Sequence, residues 1–438
     1  MKKQLILVPS TKMDTNKKDG RYEDKLIRFG SKARMNLNLA DEKTVELWPS
    51  TSAKDRINRS RTLNIFKAFS SDLKELKAKR MSIDDYHRVG FVTTKTFEYI
   101  CGNGADGAKD VWISQSIDDT VIGGDPEFIL LNEDGLVKYA NNVAEFGHAG
   151  QLASDGPLAE IRPDPSISVS EFVDSITKIL RTHRKAKAIT RYDWMASCCW
   201  LGEGNDWGDH MRNEWPVGGH IHVGTPAQVA TKCKADKLFE RSFYVALCKI
   251  LDELLAIPAM KIDNKKESII RRKRYGAYGC YRTDHSRLEY RALSGMWMAH
   301  PKLATIILGT AKAIIDSFFH ILEAKNFDTE YLNGGRDPRN VNFFDPKFNG
   351  WNNVGIAKDM GVVKSSKEMV ALLNKYEMTY TKDYIAKLQK ILRKLPAYQQ
   401  YAEQIDGLIE LISLPYPKLK KIDCDMKHTW IANQEFII

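Results

Sequence analysis

Cysteine is scarce in this chain, and none of it is spaced for a metal or redox motif. Seven cysteines are scattered through 438 residues, no pair reads C-x-x-C, and Cys198 and Cys199 are adjacent. An odd number without framework spacing argues against a disulfide scaffold and for a reduced cytoplasmic protein. Long uncharged apolar runs are missing too. The most apolar stretch, Leu303 to Leu322, is interrupted by Lys312 and Asp316, whereas a membrane helix needs roughly 18 such residues. The opening M-K-K-Q-L-I-L-V-P-S has a short apolar run before its proline. A secretory signal needs roughly 7 to 15 apolar residues, so a first strand is expected there, with no membrane association. There is no internal repeat and no low-complexity tract. Glycine is present, but not in phosphate-loop order. C-G-N-G-A-D-G-A-K-D (101–110) is not followed by G-K-[ST], and G-E-G-N-D-W-G (202–208) lacks the strand–helix context of a dinucleotide fingerprint. Both read as loops.

What remains is an ordinary globular composition, 43% hydrophobic and 28% charged, in a chain long enough for two or three domains and a sizeable core. The net charge is +10, and the first 120 residues carry 23 Lys+Arg against 17 Asp+Glu. Such a balance attracts polyanions such as nucleic acid. It describes a solvated lysine-rich surface equally well.

Residues 1–120 read as a basic module of mixed character, with a helix near Leu63 to Lys79 where apolar residues fall at helical spacing. From Val121 the pattern changes. V-I-G-G-D-P-E-F-I-L-L, N-E-D-G and L-V-K-Y read as strand, turn and strand. A helix then starts at Ser168 or Ser170, with Phe172, Ile176, Ile179 and Leu180 on one face. A second carries Phe239, Phe243, Leu247, Leu251 and Leu254, and a third runs from about Pro301 to Leu322. Residues 366–412 look mostly helical, broken at Pro396. Hairpins interleaved with long helices predict an α+β core over 121–325 with a largely antiparallel sheet, followed by a helical region over 326–438.

The informative pattern is a spacing. Four apolar stretches each carry two charged or ligating side chains two residues apart: G-G-D-P-E-F (Asp125, Glu127), E-I-R (Glu160, Arg162), G-G-H-I-H-V-G (His220, His222) and L-E-Y-R (Glu289, Arg291). In a strand, residues i and i+2 project from one face. Each segment can thus aim two polar groups at one place while its intervening residues face a core. Burying an unpaired carboxylate costs several kcal/mol, so Glu127, Glu160 and Glu289 need a cation or a partner. Arg162 or Arg291 is the structural alternative, and glycine-flanked histidines can simply hydrogen-bond within a sheet. H-x-H on a strand is also a frequent zinc arrangement. Here the companions are acids rather than further histidines or cysteines, which favours a hard cation such as magnesium or manganese. Carboxylate plus imidazole suits divalent cations, and arginine suits phosphate oxygens.

The segment R-R-K-R-Y-G-A-Y-G-C-Y-R-T-D-H-S-R-L-E-Y-R (271–291) adds Arg271, Arg272, Arg274, Arg282, Arg287 and Arg291, with Lys273. Gly276 and Gly279 allow a loop to fold closely, so this segment is expected to cover a nucleotide's phosphates. A basic surface patch for nucleic acid is the plainer reading.

Taken in order, G-G-D-P-E-F, D-G-P-L-A-E-I-R-P, G-G-H-I-H-V-G and Y-G-A-Y-G-C-Y-R with L-E-Y-R resemble the phage-type carboxylate–amine ligases (amidoligases, type 2) of the glutamine synthetase and glutamate–cysteine ligase superfamily. The resemblance covers about 121–300; residues 1–120 and 326–438 carry none of its motifs. It implies a curved antiparallel cup flanked by helices, with ATP and two or more magnesium or manganese ions between its strands. Glu127 and Glu160 would bind metal with Asp125 near them, and His220 and Glu289 would complete a second metal site. His222, Arg282 and Arg291 would hold the phosphates, with Arg162 and Arg287 joining the cofactor-binding set. Arg282 and Arg291 would be the catalytic cations. Asp125 departs from the glutamate pair of glutamine synthetase, and its shorter side chain would act through water.

The expected activity is ATP-dependent amide formation through an acyl phosphate, joining a carboxylate substrate to an amine substrate; a nucleic-acid-linked substrate is conceivable. The alternatives are a phosphotransferase resembling a guanidino kinase, or a non-catalytic nucleic-acid-binding module. The compartment would be the cytoplasm, that of the host if the chain is phage-encoded.

Overall fold

The computed structural model describes residues 112–143, 145–146, 151–183, 190–202, 214–284, 287–432 and 436, together with the backbone of short strands before residue 110. The chain divides into two compact units, Met1–Asp110 and Val111–Ile438. In the first, Leu26–Phe29, Ala33–Asn38 and Thr44–Leu47 form an antiparallel sheet, and the strand expected at the chain start is Leu5–Leu7, paired with Phe91–Thr93. The helix expected over 63–79, the loop over 101–110 and most of 202–208 lie outside the described residues.

The second unit is α+β. Its strands, in chain order, are β1 (Ile113–Ser114), β2 (Ile122–Gly124), β3 (Glu127–Leu131), β4 (Val137–Lys138), β5 (Leu152–Asp155), β6 (Leu158–Ile161), β7 (Asp193–Met195), β8 (Cys199–Leu201), β9 (Glu214–Pro216), β10 (Ile221–Pro226), β11 (Tyr281–Asp284) and β12 (Arg287–Tyr290). One sheet runs β5-β6-β3-β7 with β4 beside β3; another runs β11-β12-β10-β1 with β2 beside β10. Every pairing in both is antiparallel except β10 with β1.

β2 and β3 are one stretch of chain broken at Asp125–Pro126. Pro126 has no N–H to give a ladder, and the chain passes there from one sheet into the other. The Glu127 N–H donates to the Gly218 carbonyl (2.8 Å), and the Ile161 N–H donates to the Pro126 carbonyl (3.0 Å). The strand expected over 121–131 is therefore two strands with a hinge, and Asp125 sits on the hinge.

Alternation places the core. Phe128, Leu130, Ala159, Ile161, Ile221, Val223, Leu288 and Tyr290 point into the main apolar cluster. Helices cover it: α1 (Val169–Thr182, capped by Ser168), α2 (Lys237–Leu251, capped by Asp236), α3 (Lys265–Arg274, capped by Asn264) and α4 (Pro301–Ala324). By length and composition α4 is apolar enough to cross a membrane. Instead it packs against α1 and against the helix Ala402–Ser413. The two charges that interrupt its sequence form a buried pair, Lys312 Nζ to Asp316 Oδ1 at 2.6 Å, and the Tyr401 hydroxyl donates to Asp316 as well (2.7 Å). Residues 366–412 are helical in segments, with the break at 393–397 around Pro396.

A π-helical turn, Asp252–Ala256, follows α2. Its Asp252 accepts from the Tyr290 hydroxyl (2.6 Å) and from the Gly279 N–H (2.8 Å). Burial pushes this carboxyl up to about 7 in spite of those bonds. Asp252 thereby fixes, from behind, both β12 and the loop that leads into β11.

Candidate active site

The residues that alternate with the core lie on the opposite face in register. His222 is paired with Gly123 of β2 and with Glu289 of β12, and Glu289 is paired in turn with Arg282 of β11. Gly123, His222, Glu289 and Arg282 thus form a row across one sheet. In the other sheet Glu127 faces Glu160, and Glu160 faces Ala153, two residues from Asp155. Asp125 on the hinge connects the rows. Its Oδ1 is 3.0 Å from Nδ1 of His220 and 3.2 Å from Nε2 of His222, and Nδ1 of His220 is 3.7 Å from Oε1 of Glu289. Glu127 Oε2 accepts the Gly218 N–H at 2.6 Å, on the loop just before His220.

These groups are almost entirely removed from water: Glu127, Glu160, His220, His222 and Glu289 are each 3–5% exposed. Burial pushes the Glu127 carboxyl up to about 8, and the charges of Asp155, Asp125 and Glu160 add to the rise against the Gly218 hydrogen bond. Burial raises Glu160 as well, with Arg162 opposing. Asp125 goes the other way. Burial would raise it, but the contacts and charges of His220 and His222 hold it well below the usual carboxylate range.

Ligand atoms of Asp125, His222 and Glu289 lie within 4.8 Å of one another, a spacing that a shared cation of about 2.0–2.6 Å bond length can span. Nε2 of His222 is buried and in no hydrogen bond despite its 3.2 Å approach to Asp125. Two carboxylates and one imidazole, whose Nε2 is without a hydrogen bond, fit a hard divalent ion. Nη1 of Arg287 lies 3.2 Å from Nδ1 of His222, so the ring offers a lone pair at Nε2 only when that guanidinium moves away. His220 is engaged at both nitrogens, by Asp125 at Nδ1 and by the Tyr275 hydroxyl at Nε2 (2.5 Å). The resemblance implies metal for His220 and phosphate for His222; hydrogen bonding in this structure makes His222 the freer ligand.

The arginines border the same face, each beside a site side chain. Arg162 grips Glu160 with two parallel bonds, 2.7 and 2.8 Å. Arg282 gives two to Glu289, 2.8 and 2.6 Å, and Nε of Arg291 is 3.1 Å from the same carboxylate. The side chains of Arg162 and Arg282 are still 42% and 59% exposed, so their outer edges can meet an incoming anion. The structural salt bridges considered from sequence are thus present, and they leave the guanidiniums beside the carboxylates.

Part of the basic segment 271–291 does something else. Arg271 and Arg272 are buried on α3. Arg271 donates to the carbonyls of Val217, Ala292, Arg291 and Leu293 at 2.6–3.3 Å, and Arg272 donates to those of Gly276 and Ala292. Both hold the loops that end the site strands. Gly276 and Gly279 have φ of +67° and +78°, and they make room for Arg271 and Phe344 rather than for a ligand.

Three residues of the face were given no role from the sequence, although Asp155 and Tyr275 open two of the motifs. Asp155 follows from the register of the β5–β6 hairpin. Tyr275 sits just past α3, bonded to His220, with the Arg291 guanidinium 4.5 Å above its ring. Burial raises its hydroxyl far above the ordinary range, with the charge of Glu127 adding, so it is the donor to His220 and the hydrogen on Nδ1 faces Asp125. Trp112 lies edge-on to His222 with centroids 5.5 Å apart, and the Arg287 guanidinium is 5.1 Å from its ring.

Gly218 shows how tightly this face is set. A Cβ there would overlap Nε2 of His220 and come within 3.0 Å of Oε2 of Glu127. Gly218→Ala is expected to fold and to lose about tenfold in turnover, because sub-ångström misplacement of reacting groups is costly. Kinetics beside a circular dichroism melt check this; unchanged turnover would show that the two side chains need no fixed spacing.

Residues 122–334 match the family model described as phage phiEco32-like COOH.NH2 ligase-type 2. The resemblance read from the four motifs is therefore borne out over that segment. No protein with a curated description matches the sequence. Among solved structures, a bifunctional glutathione synthetase from Pasteurella multocida is similar at 10% identity with a TM-score of 0.41, over 72% of this chain and 52% of that one. The chain thus spans about half the length of that protein.

Proposed function

We propose, from a chain whose residues 122–334 carry the sequence pattern of the phage-type carboxylate–amine ligases, that it joins a carboxylate to an amine at the expense of ATP. One observation carries the reading. Asp125, His222 and Glu289 present ligand atoms within 4.8 Å of one another on a buried face rimmed by Arg162, Arg282, Arg287 and Arg291. Acids ringed by guanidiniums suit a nucleotide triphosphate and its cations better than they suit an uncharged substrate.

In this reading Asp125, His222 and Glu289 hold one magnesium or manganese ion, and Glu127 and Glu160, with Asp155, hold a second. Bound there, the ions would neutralise phosphate charge. The substrate carboxylate attacks the γ-phosphate, its oxygen forming the new P–O bond as the bond to ADP breaks. The amine then attacks the acyl carbon and phosphate leaves. Arg282 and Arg291 stabilise negative charge on the group in transit, and Arg287 and Arg162 orient the phosphates. His220, bridged between Asp125 and Tyr275, keeps Asp125 charged and aimed. Much of the acceleration is positioning, since several anionic reactants must be held together against their repulsion. The sheets would form the curved cup of the glutamine synthetase superfamily. Residues 1–110 would be an added module for substrate selection, and the helical region after 325 would buttress the core. A reducing cytoplasm, the host's if the gene is a phage's, completes the proposal.

Mass spectrometry of the full chain incubated with ATP, magnesium and pooled amino acids and nucleotides tests it. The expected product has the mass of an acid plus an amine minus water. A phosphorylated acceptor with no condensed product would favour a phosphotransferase.

A further inference from the structure

A large groove lies apart from the carboxylate face. It measures about 1190 Å³, and its walls include Met195, Trp200, Lys261, Met378, Tyr380 and Tyr416. None of Asp125, Glu127, Glu160, His220, His222 or Glu289 lines it. Its volume is at the upper end of the roughly 300–1,000 Å³ that small-molecule sites occupy.

Lys261 is the unusual group in it. The residue is 6% exposed, yet its ammonium is held only by two tyrosine rings, 4.1 Å from the centroid of Tyr416 and 4.8 Å from that of Tyr380. Burial lowers its proton affinity, and no carboxylate is near enough to oppose this. Among the described residues no carboxylate pairs with this ammonium, which opens onto the groove. Lys265, Lys266 and Lys420 are exposed around it. Of the acids on the walls, Asp263 is occupied by Ser294 and Ser268 hydroxyls, and burial raises Glu267 to about 7. The groove is short of negative charge.

We infer that this groove binds an acidic peptide segment, with one of its side-chain carboxylates on Lys261. Peptide is favoured over nucleic acid by the walls. Among the described residues no arginine lines the groove, although arginine is the side chain that grips phosphate with two bonds. Tyr376 is buried, and Tyr380 and Tyr416 each turn a face to the Lys261 ammonium, which leaves the half-buried Trp200 as the unoccupied ring for base stacking. Met195, Met296 and Met378 instead give a deformable aliphatic surface of the kind that accepts varied side chains. Ser197, Asn264 and Thr379 offer hydrogen bonds to a peptide backbone.

Fluorescence anisotropy on the full-length chain tests the inference, with a labelled short glutamate-rich peptide, its glutamine-for-glutamate counterpart and a single-stranded oligonucleotide as probes. The glutamate peptide is expected to bind at least tenfold more tightly than the glutamine peptide. Lys261→Met should abolish that preference, and Lys261→Arg should retain it. Lys420→Glu, at an exposed position on the rim, should weaken the glutamate peptide at least threefold while leaving the fold intact. Equal binding of the two peptides, unchanged binding in Lys261→Met and Lys420→Glu, or tighter binding of the oligonucleotide through Lys261 would each overturn the proposal. ATP turnover has no part in this readout, so a failed ligase reading leaves it standing.

Discussion

Glu289→Gln is expected to fold and to lose at least ~100-fold in turnover, a loss of about 2.7 kcal/mol in transition-state stabilisation. The carboxylate is 3% exposed and stands where Arg282, Arg291, His220 and the ligating atoms of Asp125 and His222 converge. The amide keeps shape and volume but not the charge. It therefore fails both as a cation ligand and as the anchor that lines up the two guanidiniums. Arg282 is largely exposed and recovers water when released, so the cost falls on activity rather than on folding. Arg291→Lys should lose activity on the same scale, because a lysine keeps the charge without the planar fork. Steady-state kinetics beside a thermal melt decide it. Near-normal turnover in either variant would remove that residue from the chemistry.

Arg271→Met should do the opposite, and its effect on stability is the largest expected in the molecule. The guanidinium is fully buried, and its removal takes a charged donor from each of the carbonyls of Val217, Ala292, Arg291 and Leu293, although the Gly295 N–H, Arg272 and the Gly219 N–H still reach the first, second and last of them. Each hydrogen bond lost from a charged donor costs about 1.5–3 kcal/mol. Water entering the space recovers part of that, so a net loss of about 3 kcal/mol or more is expected. A melting temperature lower by at least about 5 °C would register it. Arg271→Lys should fall between, since an ammonium cannot reach four carbonyls from one point. A melt indistinguishable from wild type would mean that those loop ends are held by other contacts.

These two arginines mark the limit of what was legible in the sequence. Alternation in a strand is a local rule, so His220 with His222, Asp125 with Glu127, and Glu289 with Arg291 could be placed on one face from spacing alone. So could the core residues between them, and the structure places both sets in register. The chain's basic run 271–291 obeys no such rule. Arg271 and Arg272 lie on a helix and point inward to loop carbonyls, while Arg282 and Arg287 lie on strands, Arg291 directly follows one, and all three border the site. Only the third dimension separates them. Tyr275 and Trp112 were illegible for a related reason: each reaches its histidine across more than fifty residues of sequence, and although Tyr275 opens the Y-G-A-Y-G-C-Y-R motif, nothing local says which group it meets. Asp155 was nearer to hand, since the D-G turn beside it sets the hairpin register that brings it toward Glu160. The hinge at Asp125–Pro126 was visible as a proline inside an apparent strand, which ought to have divided it.

The central claim is that the carboxylate face and its rim of arginines transfer a phosphoryl group to a carboxylate on the way to an amide. Phosphorus NMR of the full-length chain with ATP, magnesium and the pooled acids and amines tests this most directly. ADP and inorganic phosphate should accumulate together, only when acid and amine are both present, and should vanish in Glu289→Gln. AMP with pyrophosphate, or a phosphorylated product without inorganic phosphate, would contradict it.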